Sequence, residues 1–221
     1  MKKAVVLLSG GLDSTTSLYW AKSKGYQTFV LIFDYGQRHK KEIGSAIKIA
    51  RKTKSFYLQV KFSLPWKGSA LLDKSLKLPK KRKLEKMISS GIPSTYVPAR
   101  NTIFLSFALS YADAIQADAI VIGANAIDYS GYPDCRPQYL NAMEKAALLG
   151  TKIGTEGKKF KILAPLVKMS KAKIIQLGLK LKVPYELTWS CYQGGRSPCK
   201  ECDSCILRAK GFKEAGALDP F

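Results

Sequence analysis

Short apolar runs alternate with amphipathic stretches along most of this chain. Ala4–Leu8 is an apolar run of strand length, and residues 13–24 read as a helix that stops at Gly25. Thr28–Phe33 is apolar on both faces, as a strand inside a parallel sheet is. In Lys41–Thr53 the residues Ile43, Ala46, Ile47 and Ala50 recur at helical spacing. Phe56, Leu58, Val60 and Phe62 then alternate, which predicts a third strand over Phe56–Phe62. Asn101–Gln116 is apolar nearly all round and predicts a buried helix. Ala119–Ile122 reads as a fourth strand. The helix at Gln138–Leu149 ends at Gly150. Lys161–Ala164 is a short strand, and Ser170 caps a helix that runs to about Leu181, before Pro184. A last helix is expected near Asp203–Glu214.

This strand–helix repetition predicts an α/β fold, a doubly wound parallel sheet with helices on both faces. Ligands in such sheets bind beyond the carboxyl ends of the strands, so the loops after Leu8, Phe33 and Ile122 should share one crevice. Residues 1–185 make the expected α/β domain, and 186–221 a C-terminal segment packed on it. Residues 63–98 are irregular, basic and broken by prolines, which suggests an insertion or lid.

Composition adds constraints. At 221 residues with 46% hydrophobic positions, a large core is possible. No apolar stretch reaches membrane-spanning length and none has the form of a signal peptide, so a soluble, cytoplasmic protein is expected. The net charge of +21 favours polyanionic partners such as tRNA, although lysines are scattered over the whole chain. The densest basic run, Lys74 to Lys86, has no interleaved aromatics for base stacking and reads first as a solvated surface segment.

The chemistry is concentrated at the two ends. Ser9, Gly10 and Gly11 follow the first strand, and Leu12, Asp13 and Ser14 open the first helix. Glycines let a backbone approach an anion, and the free N–H groups of a helix start point at it. Ser9, Ser14 and Thr15 offer hydroxyl donors. No Lys-Ser or Lys-Thr pair follows, so this is not the GxxxxGK[ST] loop. At the other end, Cys191, Cys199, Cys202 and Cys205 have the spacing C-x7-C-x2-C-x2-C. Four thiolates suit a closed tetrahedral zinc site of structural type, Zn2+ rather than an iron–sulfur cluster, because Ala209 stands where a ferredoxin-like pattern has its next cysteine. Cys135 stands apart.

The SGGLDS string resembles the pyrophosphate loop of the N-type ATP pyrophosphatases. The resemblance implies ATP cleaved between its α and β phosphates, with Asp13 near Mg2+ or the attacking group. Further segments are more specific: Asp34-Tyr35-Gly36-Gln37-Arg38-His39, Val97-Pro98-Ala99-Arg100-Asn101, the loop Gly123 to Pro137, Thr188-Trp189-Ser190-Cys191 and Cys202-Asp203-Ser204-Cys205. Together they resemble the 7-cyano-7-deazaguanine synthase family of queuosine precursor synthesis, from Ala4 to Pro220 and most weakly over 63–92. The family usually has glycine where Ala99 stands; little effect is expected from the change.

This resemblance implies a carbon–nitrogen ligase. ATP adenylates the carboxylate of 7-carboxy-7-deazaguanine, ammonia displaces AMP to leave an amide, and a second ATP activates that amide so that loss of AMP gives the nitrile. It places nucleotide contacts on Leu8, Ser9, Gly10, Gly11, Leu12, Asp13, Ser14, Thr15, Thr16, Ser17 and Leu18. Arg100 and Lys171 are the candidate phosphate cations. Asp134 or Asp128 can accept the paired N–H groups of a guanine-like edge, and Tyr129 or Tyr132 can stack on the ring. Arg136 pairs with the substrate carboxylate or with Asp134. Gln37, Arg38 and His39 end a strand at the crevice, and His39, the only histidine, is a candidate proton acceptor or a structural residue. A homodimer is implied. The competing readings are a pyrophosphatase that modifies tRNA directly, a non-catalytic zinc-bearing RNA-binding module, and a relative that attaches deazaguanine to a macromolecule.

Overall fold

The computed structural model describes residues 1–83, 85, 87, 91–125 and 131–221. Its centre is a five-stranded parallel sheet in the order β3-β2-β1-β4-β5. The strands are β1 (Lys3–Leu7), β2 (Gln27–Asp34), β3 (Phe56–Lys61), β4 (Ala119–Val121) and β5 (Lys161–Leu163). The chain winds outward from β1 through β2 to β3, then returns to lay β4 on the other side of β1. Strand order therefore reverses between β1 and β4, and that is where a crevice opens in such sheets. Val5 marks the reversal, paired with Phe29 on one side and Ile120 on the other.

Helices cover both faces, as the sequence predicts. Helices α1 (Leu12–Ser23) and α2 (Lys41–Lys52) lie on one face over Ala4, Val6, Val30 and Ile32. Helices α3 (Arg100–Ala114) and α4 (Pro137–Gly150) lie on the other over Val5, Leu7, Leu31 and Ile120. The alternation of inward residues along each strand supplies both cores at once, which is why these strands read as continuous apolar runs. A single-turn helix, α5 (Lys152–Thr155), follows α4 and was not visible in the pattern. Helix α6 (Lys171–Lys180) begins at Ser170, whose side chain accepts the Lys173 N–H, as expected. Helix α7 (Asp203–Glu214) ends the regular structure and packs against α6.

Two expectations are corrected. Helix α3 is not buried all round: Leu105, Ala108 and Ala112 are buried, while Phe107 is 41% exposed. Its outer side joins an aromatic group at the β3 edge, with Phe33 stacked on Phe104 at 4.0 Å and Phe62 on Phe107 at 5.4 Å. Strand β3 is an edge strand, so Phe56 and Leu58, though alternating with polar residues, remain 64% and 50% exposed. The basic run is likewise not simply solvated. Lys80 pairs with Cys202 in an antiparallel bridge, Lys80 and Lys81 reach Glu201, and Arg82 forms an ion pair with Asp203. The insertion is thus docked on the cysteine tail; Lys86 of that run lies outside the described residues.

Candidate active site and metal centre

At the strand-order reversal lies a cavity of about 300 Å3. The three predicted loops meet there: Leu8, Ser9, Gly11, Leu12, Asp13 and Ser14 from the first, Phe33 and Tyr35 from the second, Ile122 to Asn125 from the third. Arg100, Asn101 and Phe104 enter from α3, Lys171 from α6, and Trp189 and Ser190 from the tail.

Local chemistry dictates the shape of the first loop. Gly10 has φ +82°, and a Cβ there would fall 2.2 Å from the carbonyl oxygen of Glu42, so only glycine lets α2 approach. Gly11 caps α1 without a side-chain bond, which leaves the first N–H groups of the helix for a ligand. The Ser9 and Ser14 hydroxyls meet at 3.0 Å, and Ser14 Oγ also accepts the Ser9 N–H. Gly10, Thr15, Thr16, Ser17 and Leu18 do not line the cavity. Thr15 and Thr16 donate back to the carbonyls of Gly11 and Leu12, and Thr16 also meets the Tyr185 hydroxyl at 3.0 Å. Leu18 is core. These residues hold the loop in shape from behind.

The charged groups are arranged in pairs. Lys171 Nζ donates to both oxygens of Asp13 at 2.9 and 2.7 Å. Arg100 donates to the Tyr35 hydroxyl at 3.4 Å, and its Nε is buried without a hydrogen-bond partner among the described residues. Burial pushes the Glu42 carboxyl up to about 7, against the opposing pull of Arg100 and a hydrogen bond from Gln37. Glu42 lines the cavity and was missed in the sequence, where it reads as a first-turn surface charge. Phe104 and Tyr192 of the wall were missed for the same reason, since nothing local distinguishes them. Cys135 lines the cavity as well; burial raises its thiol to about 11, so it stays protonated at neutral pH.

The expected substrate residues are placed unevenly. Tyr132 lines the cavity, and its hydroxyl meets Thr95 Oγ1 at 2.9 Å. Asp134 is buried and does not line it; its Oδ2 accepts the Asn101 N–H at 3.0 Å and so caps α3. Gln37 is also buried, its amide spanning Tyr35 N–H, the Phe33 carbonyl and Glu42. Arg136 is exposed at the start of α4. Asp128 and Tyr129 lie outside the described residues. His39 is buried behind Gly194 rather than on the cavity wall, and burial lowers its pKa to about 4, leaving it neutral at pH 7.

The tail closes one side of the site. The ligand atoms of Cys191, Cys199, Cys202 and Cys205 all lie within 4.8 Å of one another, a spacing compatible with one tetrahedral ion. Three of the four are buried, and the cluster is bonded internally, Cys199 N–H to Cys191 Sγ and Cys202 N–H to Cys199 Sγ, both at 3.3 Å. Just ahead of it, Trp189 N–H donates to the Gly10 carbonyl at 2.9 Å, and Lys41 Nζ lies 4.3 Å from the Trp189 ring centre. Arg208, fully buried, binds Thr188 Oγ1, Ser190 Oγ and Asp219. The cysteine cluster is thereby coupled mechanically to the glycine loop.

A strand, a glycine-rich loop and an open helix N-terminus at the reversal of a parallel sheet define a phosphate-loop α/β protein. Among solved structures, an NMN synthetase from Francisella tularensis shares this fold, with a TM-score of 0.53 at 16% identity over 98% of this chain and 78% of that one. The profile described as "Queuosine biosynthesis protein QueC" matches residues 3–216, and the chain belongs to that family. Two relatives are named 7-cyano-7-deazaguanine synthase. The one from Nostoc punctiforme is 56% identical over 220 residues, covering 99% of this chain and 98% of its own. The one from Thermoplasma acidophilum is 57% identical over 219 residues, covering 99% and 91%. Among the described residues, no helix is long and apolar enough to cross a membrane.

Proposed function

We propose that this chain is a 7-cyano-7-deazaguanine synthase, a carbon–nitrogen ligase that turns 7-carboxy-7-deazaguanine and ammonia into the nitrile by two rounds of ATP-dependent adenylation. The observation that carries this reading is the full-length relation to synthases of that name. ATP places its phosphates on Ser9 to Ser14, where free N–H groups and hydroxyls converge. In each round charge accumulates on the departing pyrophosphate, and preorganised donors stabilise it best. Asp13 and Lys171 form an ion pair at the mouth of α1. With nucleotide and magnesium bound, Asp13 would be the carboxylate available to the metal and Lys171 the cation available to the phosphates. Arg100, whose buried Nε has no hydrogen-bond partner among the described residues, takes a carboxylate or phosphate oxygen. The deazaguanine ring lies against Tyr132 and Phe104.

Cys191, Cys199, Cys202 and Cys205 would hold Zn2+ in a closed four-thiolate site, and its role would be to keep the tail against the loop. Residues 1–185 do the chemistry and 186–221 close its site. A second copy covers the exposed Phe56 and Leu58 of the edge strand β3 and the exposed Phe107 of α3. Sulfur transfer to tRNA finds no support, because the cavity's one thiol is held protonated. The test is incubation with ATP, magnesium, ammonium and 7-carboxy-7-deazaguanine, following the deazaguanine mass. Nitrile formed with two AMP per product is the expected result. Absence of conversion in protein with its cysteine site filled would overturn the assignment.

A further inference from the structure

Among the described residues, three carboxylates line the cavity, and two of them are already paired with cations: Asp13 with Lys171, and Asp203 with Arg82. Glu42 makes no ion pair among the described residues. Its position is nonetheless fixed. Gln37 Nε2 donates to Glu42 Oε1 at 3.3 Å, while Gln37 is itself held by the Phe33 carbonyl at 3.0 Å and the Tyr35 N–H at 2.8 Å. The first turn of α2 is pressed against Gly10, so the carboxylate shares a wall with Ser9, Gly11 and Asp13. The groups acting on it are Arg100 from α3 and Tyr35 and Gln37 from the loop after β2; the Asp13–Lys171 pair from α1 and α6 lines the same cavity, and Lys41, beside it in sequence, lies over the Trp189 ring.

We propose that Glu42 is the residue that captures ammonium and takes its proton in the amidation step. This rests on the synthase reading above. At neutral pH most of the ammonia in solution is ammonium, which has no lone pair to attack with. A carboxylate in the cavity wall binds that cation and accepts one proton. The freed nitrogen lone pair then forms the C–N bond to the acyl carbon, and the C–O bond to AMP breaks with its electron pair leaving on the phosphate. The adduct's surplus proton passes to solvent. A base must be poised near the operating pH to do this well, and burial sets Glu42 there, at about 7. The protonated form faces the cavity, through which its proton can return to solvent.

The test compares the wild type with Glu42→Gln and Glu42→Asp, using two nucleophiles. Hydroxylamine is largely unprotonated at neutral pH and needs no base to free its lone pair. Glu42→Gln should lower kcat/KM for ammonium about 100-fold or more, the range of a lost general base. Substrate-dependent exchange of pyrophosphate into ATP, and hydroxamate formation with hydroxylamine, should stay within about threefold. The ammonium defect should shrink at alkaline pH, where free ammonia is supplied by the solution, and Glu42→Asp should recover part of the activity. Equal losses with both nucleophiles and in exchange, or no loss with ammonium, would overturn the proposal. A wild-type protein that shows no substrate-dependent exchange would overturn the synthase reading itself, and this proposal with it. Should Glu42→Gln fail to fold, Glu42→Asp carries the same comparison.

Discussion

Replacing Glu42 by glutamine should make the folded protein more stable above neutral pH and leave it nearly unchanged in acid. The carboxyl moves from its ordinary 4.5 to about 7 in the fold, chiefly through burial. An acid with a raised pKa keeps its proton in the folded state while the unfolded chain has lost it. Stability from this group is therefore fully present below 4.5, declines as the pH rises, and is lowest above about 7. At 1.36 kcal/mol per tenfold the full difference is about 3 kcal/mol. The side chain is partly open to the cavity, so screening brings the figure to about 1–3 kcal/mol. For a chain of this size that corresponds to roughly 3–10 °C in Tm. Glutamine mimics the protonated acid, keeps a polar contact for Gln37 and does not titrate. Urea unfolding of both proteins at about pH 8 and about pH 5 measures the effect directly. The variant should gain at the higher pH and match the wild type closely at the lower. A gain of equal size at both pH values, or a loss at the higher one, would show that Glu42 is not held uncharged by burial. Enhanced stability together with lost ammonium-dependent activity is the pairing expected of a residue placed for chemistry at a cost to the fold.

Gly123→Ala puts a Cβ 2.8 Å from the Ser14 Cα, where only backbone can yield. It should cost about 1–3 kcal/mol and raise KM for ATP, as unfolding and kinetics on one preparation would show. Ala99 has φ +50°, a conformation that favours glycine, so the departure from the family pattern is not neutral as expected; Ala99→Gly should raise stability by up to about 1 kcal/mol, read as a shift in the urea midpoint without a change in slope. Cys135→Ser should retain activity within a few-fold, whereas a large loss would revive a nucleophilic role for that thiol. Stripping the metal, or Cys202→Ser, should remove one zinc per chain by elemental mass spectrometry. It should also lower ATP affinity at least about tenfold, since the Trp189–Gly10 bond depends on the folded tail.

Much of this architecture is local enough to read from the chain. β1, β2, α1, α2 and α7 follow from runs and periods within a dozen residues, and the glycine loop and the cysteine spacing are contiguous signals. What escaped depends on distant partners. Asp134 looks like a base reader, yet it caps α3 from 33 residues away. Gln37 looks available and is consumed by its own loop. Phe107 reads as core, but α3 turns that side beyond the edge of the sheet. The basic run reads as solvated, yet Arg82 docks on Asp203 across 121 residues of sequence. Glu42 is the clearest case, because a glutamate in the first turn of an amphipathic helix is the commonest of surface residues. What makes it different is Gly10, which draws that turn in until the carboxylate stands in the cavity wall.

The same glycine shows why the motif alone does not make the site. Its missing Cβ admits α2 on one side, and its carbonyl receives Trp189 on the other. The loop is therefore gripped between an element some 30 residues downstream and the segment that leads into the cysteine cluster. A free N-terminal turn of α1 would offer the same N–H groups, but the loop presenting them would be free to relax. Gripped on both sides, the donors are already in place before any phosphate charge develops, and it is this preorganisation that lowers a barrier. A structural metal held by the tail cysteines, with no open coordination position, would thus bear on catalysis through geometry. Its removal should be felt first in nucleotide affinity and only then in the chemical steps.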